Sequence, residues 1–119
     1  GAYEHICEPD VIGTVLEATD TYLLLDLSHA QVSASRLGWP LDDYLAALPL
    51  GRVRQLHVNG PRPVGETLGD VHETMRETDY DLLEAMLGQT QPWAVTLEYG
   101  RDEDALLAQA DRLQNLLGG

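Results

Sequence analysis

Histidines and acids recur in this sequence where apolar runs stop. Asp26 ends the run "YLLLD" and His29 follows three residues later, while His57 stands near the end of "RVRQLHV". Asp70 and His72 are two apart in "GDVHET", Glu98 closes "AVTLE", and Glu4 and His5 sit in "YEHI". All four histidines of the chain belong to this set. Imidazole nitrogens and carboxylate oxygens with no thiolate suit iron, manganese or zinc in a catalytic site rather than a closed structural zinc. Each residue alone has a plainer reading, because a strand-end histidine is commonly a structural hydrogen-bonding group and a strand-end acid commonly caps the next helix. Convergence on one face separates the two readings, and convergence depends on the elements that carry the residues.

The residues alternate between strand and helix signals. A short strand is expected over residues 2–6, then a helix opened by Pro9 with Val11, Ile12, Val15 and Leu16 at helical spacing. Residues 22–27 form a continuous apolar run, as in a strand buried on both faces. A small-residue stretch, 30–35, separates it from a helix over 41–48, opened by Pro40 and the acids Asp42 and Asp43. A third strand over 52–58 breaks at "NGPRP", and a long polar loop containing "GDVHET" leads to a helix over 78–87 with Thr78 as its cap. A strand over 93–97 and a helix over 102–117 complete the pattern.

Four successive strand-helix units imply parallel strands joined by right-handed crossovers, in one α/β domain over residues 1–119. No GxGxxG or GxxxxGK[ST] loop opens a helix, which removes the usual signature of a nucleotide-binding sheet and favours a barrel. A complete TIM (β/α)8 barrel needs about 250 residues, so the expected architecture is half of one, a fragment of a longer chain. The opening Gly1-Ala2-Tyr3-Glu4 then reads as a tag remnant joined to an interior segment. In parallel α/β folds the ligand site lies at the carboxyl ends of the strands, which is where the histidines and acids collect.

Composition narrows the partners. Seven arginines, no lysine and twenty acids give a formal net charge of −13, which repels nucleic-acid backbones and anionic membranes. No apolar stretch has transmembrane length and no basic-then-apolar leader is present, so a cytoplasmic location is the default. Cys7 stands alone, which excludes a disulfide framework and suits a buried apolar role. Trp39 and Trp93 are expected to pack at element boundaries, and Arg62 in "NGPRP" is offered as a contact for an anionic substrate from a mobile loop.

The motifs "EHI", "LLLDLSH", "RVRQLHVNG", "DVHET" and "TLEYG" resemble, in order, the later strand motifs of the MbnB/TglH-like family, also described as domain of unknown function 692, within the xylose-isomerase-like barrels. The resemblance spans nearly the whole chain and places it as the C-terminal half of such a barrel. It implies two or three iron ions, with zinc or manganese as substitutes, and oxidative modification of cysteines in ribosomally made peptides. Glu4, Asp26, His57, Asp70, His72 and Glu98 would then be iron ligands, with His29 where the family usually has an Asn. The family often carries a second His shortly after the position of His57, where this chain has "NGPRP". The implied partners are a peptide substrate and a substrate-recruiting protein. Ligands from the first half of the barrel lie outside this sequence, so the isolated 119 residues are expected to be inactive.

Two other readings stand beside this one. The same barrel and metals would serve a sugar isomerase or a metal-dependent endonuclease, although the chain has no lysine for the former and the wrong charge for the latter. Alternatively, the chain is a non-catalytic association module whose acids merely cap helices. A half barrel exposes unpaired strand edges, so a homodimer is expected.

Overall fold

Pro9 can start a helix because its missing N–H is one that the first turn leaves unpaired in any case. In the computed structural model, which describes residues 8–118, helix α1 (Pro9–Thr19) begins there and stops at Asp20, whose φ of 50° is left-handed. The expected strand over residues 2–6, with Glu4 and His5, lies outside the described residues, as does Cys7. Strand β1 (Leu23–Asp26) follows and runs directly into α2 (Leu27–Leu37). Residues 30–35 are therefore helix and not a connecting stretch. Their small side chains suit close packing: Ala30, Ser33 and Ala34 are buried, where bulk would hold the helix away from its neighbours.

The short helix α3 (Leu41–Ala46) ends earlier than the expected residue 48, and a 3-10 turn (Leu50–Arg52) leads into β2 (Val53–Val58). The segment expected to be a turn and a long polar loop is instead an antiparallel hairpin, β3 (Gly60–Val64) and β4 (Thr67–Glu73). Helix α4 (Glu77–Leu87), strand β5 (Ala94–Leu97) and helix α5 (Glu103–Leu116) complete the order. Thr78 does not cap α4. Arg76 occupies that position, and the Asp79 carboxylate accepts the Arg76 backbone N–H at 2.8 Å and its side-chain Nε–H at 2.9 Å.

Strands β1, β2 and β5 form one parallel sheet in the order β1-β2-β5. The molecule is thus a mixed α/β structure with a parallel sheet, an arrangement compatible with part of a barrel. The third expected unit carries an inserted hairpin between its strand and its helix.

One face of this sheet is covered and the other is bare. Leu25, Leu56 and Val58 are buried in the main core with Ala30, Tyr44, Leu83, Met86 and Leu113 from the helices, and Val95 and Leu97 pack against them. Leu23 pairs with Val53 and Leu24 with Gln55, so Arg54 is an extra residue that puts both Val53 and Leu56 into the core. Alternation sends Leu24 and Asp26, Gln55 and His57, and Ala94 and Thr96 to the opposite side. There Leu24 is 46% exposed, and Gln55, Ala94 and Thr96 are exposed as well. Purely parallel sheets are ordinarily covered on both faces. Among the described residues, this one is not.

Candidate metal centre

Asp26, His57 and Glu98 meet at the carboxyl end of the bare face. Each offers a ligand atom within 4.8 Å of the others, and all three side chains are half-buried. Asp26 ends β1, and its Oδ1 accepts the His29 backbone N–H at 2.9 Å, capping α2. The carboxylate has a second oxygen, so capping does not exhaust it. His57 comes next to last in β2, paired with Thr96. Glu98 follows β5, and its N–H donates to Val58 O at 2.9 Å, which extends the ladder by one step and keeps its side chain on the His57 side. His57 Nδ1 lies 3.1 Å from Glu98 Oε1.

Electrostatics set this group apart from ordinary helix caps. Burial raises the Asp26 carboxyl above its usual value, the negative charges of Glu98 and Asp70 raise it further, and the His29 amide opposes them. A cation beside Asp26 would relieve the cost of its charge there. Ligand bonds of about 2.0–2.2 Å place ligand atoms roughly 3–3.5 Å apart, so the His57–Glu98 pair at 3.1 Å already has the required spacing. Imidazole with two carboxylates, lacking sulfur, fits iron, manganese or zinc.

The hairpin brings the second pair. His72 Nε2 and Asp70 Oδ1 are 3.4 Å apart, and Ser28 Oγ donates to Asp70 Oδ1 at 3.2 Å. An extended backbone would set these two side chains on one side, but His72 has a left-handed φ of 54°, so the pair meets across a kink. His29 is exposed in the first turn of α2 and lines an apolar cleft of about 170 Å3 with Leu24, Tyr44 and Leu48, outside the close group of three. Glu4 lies outside the described residues. Arg62 sits in strand β3, where its guanidinium donates to Pro61 O at 3.0 Å and Thr74 O at 2.9 Å, bracing the base of the hairpin.

Several residues around the site left no signal in the sequence. Ser28 is a lone hydroxyl between the apolar run and the small-residue stretch, and only the fold places Asp70 opposite it. Arg101 looked like a loop cation, yet it bonds Val71 O and Glu73. Asn59, two residues past His57 and 2% exposed, has no hydrogen-bond partner for either amide atom.

A parallel sheet with imidazole and carboxylates gathered at its carboxyl ends defines an α/β protein with a candidate metal centre. The chain belongs to the family described as the RiPP precursor modification enzyme MbnB/TglH/ChrH, which matches residues 2–117. Among curated relatives, a UPF0276 protein of Caulobacter vibrioides is 35% identical over 116 residues, covering 92% of this chain and 41% of its own length. A UPF0276 protein of Bordetella bronchiseptica is 35% identical over 120 residues, with coverage of 92% and 41%. One from Acaryochloris marina is 27% identical over 119 residues, with coverage of 97% and 43%. The chain thus spans about two fifths of the length of the curated relatives it matches.

Proposed function

We propose that this chain supplies part of the site of a multinuclear non-haem iron enzyme that oxidises cysteines in a ribosomally made peptide, with zinc or manganese as substitute ions. The observation that carries the reading is the meeting of Asp26, His57 and Glu98 on the uncovered face of the sheet. Family membership supports the peptide as substrate class. Iron held here would supply the redox chemistry for oxidation of a thiol by dioxygen.

The residues' own tasks follow from their places. His57 contributes a neutral ring nitrogen, and Glu98 and Asp26 contribute charge that offsets the ion. Asp26 keeps one oxygen on the α2 cap, which fixes the direction of the other. Asp70 and His72 would form a second ligand pair, and Glu4 and His29 are the further ligands that the family resemblance implies. A peptide substrate, and a protein that recruits it, would approach over the exposed rim.

Metal analysis of protein purified under anaerobic conditions tests the reading. Iron is expected to copurify with the chain, or with a longer protein containing it, and to fall by half or more in Asp26→Ala and His57→Ala. Unchanged metal content in both variants would sink it.

The bare sheet face favours a second element of the proposal, association of two copies. A partner sheet laid on that face would shield Leu24 and bring a second set of strand ends to the same rim.

A further inference from the structure

The loop between β5 and α5 holds Glu98, Arg101 and Asp102 within five residues, and Asp102 caps α5 by accepting the Ala105 N–H at 3.0 Å. Arg101 reaches from this loop to the hairpin. Its Nη2 donates to Val71 O at 3.0 Å and its Nη1 pairs with Glu73 Oε1 at 2.9 Å. These are the two neighbours of His72, the residue at φ 54°. A histidine in the left-handed region keeps that conformation when its surroundings fix it, and such residues gather at functional sites.

We infer that Arg101 is a positioning residue: by holding the Val71 carbonyl on one side of His72 and the Glu73 carboxylate on the other it fixes the left-handed turn that presents the Asp70–His72 pair to the Asp26–His57–Glu98 group. The inference rests on reading that group as a metal centre. Only a planar guanidinium offers two donors in a fixed fork that spans three residues; a lysine ammonium satisfies one end at a time. The plain alternative is a surface ion pair. Arg101 is 59% exposed, and exposed pairs contribute little to stability, so melting temperature does not distinguish the two. The conformation of His72 does.

Arg101→Met and Arg101→Lys test the inference in the whole chain. Without metal, the ring nitrogen signals of His72 in Arg101→Met are expected to move to those of an Asp70→Asn variant, with far-ultraviolet dichroism unchanged. With manganese(II), the His57 and His72 ring signals of the unsubstituted chain are expected to broaden together. In Arg101→Met, His57 broadens as before while His72 needs roughly 10- to 100-fold more metal, with Arg101→Lys between. Unshifted ring signals and joint broadening in Arg101→Met would overturn the inference and leave a surface ion pair. If manganese broadens neither histidine of the unsubstituted chain, the metal reading fails, and the metal-free signals alone decide: a shift in Arg101→Met supports the role of Arg101, and none refutes it.

Discussion

Asp26 carries two loads that pull in different directions. As a helix cap it needs only an oxygen, and asparagine caps about as well as aspartate. As a member of an acidic group it needs its charge, which burial and the neighbouring Glu98 and Asp70 oppose. Asp26→Asn is therefore expected to raise the unfolding midpoint of the metal-free chain by a few degrees while weakening manganese or iron binding roughly tenfold or more, measured by thermal melts with and without metal. A lower midpoint in the metal-free state would mean that the carboxylate is not under strain there. The sequence already showed Asp26, His57 and Glu98 as candidates, because strand-end position follows from apolar periodicity. It did not show that these three in particular meet. That depends on strand order and on the β1–β2 register, in which Asp26 faces His57.

The elements differed most from expectation where local signals were weak or doubled. "NGPRP" has the residues of a turn and "TLGDVHE" has few apolar ones, so both suggested loop. A hairpin solvated over much of its surface needs little apolar patterning, because strand pairing and side-chain braces such as Arg62 on Thr74 hold it. Helix α4 hid its start differently. Thr78 has the chemistry of a cap, but the Asp79 carboxylate instead serves Arg76 and Gln31, a network that forms only when α2 lies alongside. Burial alone would raise the Asp79 carboxyl, yet the bonds from Arg76 and Gln31 draw it below its usual value. A depressed folded value gives stability that is present above the unfolded-state value and is lost as pH falls through the folded one. Asp79→Asn is expected to cost about 1–3 kcal/mol near neutral pH and to flatten the acid limb of the urea stability profile. An acid limb as steep as before would assign that dependence to other carboxylates.

At the scale of the molecule, the parallel strands and flanking helices were legible from alternation alone, whereas the bare face was not: a run such as "YLLLD" reads as buried on both sides, and only the fold shows Leu24 turned to solvent. The end of the sheet opposite the candidate metal centre carries a stack of its own. Tyr22 meets Trp93 edge to face at 5.5 Å, and the Arg54 guanidinium lies 4.6 Å from the centre of the Tyr22 ring and 5.9 Å from that of Trp93. Trp93 is 72% exposed. In a Trp39→Phe background, rising protein concentration is expected to shift Trp93 emission to the blue and shield it from acrylamide, with a dimer in sedimentation over the same range. Red, quenchable emission throughout, with a monomer, would count against association. The indole is thus an optical gauge placed where the sheet begins, at the opposite end from Asp26, His57 and Glu98, so light emitted there would report a second copy settling over that end without any probe being attached to the candidate ligands.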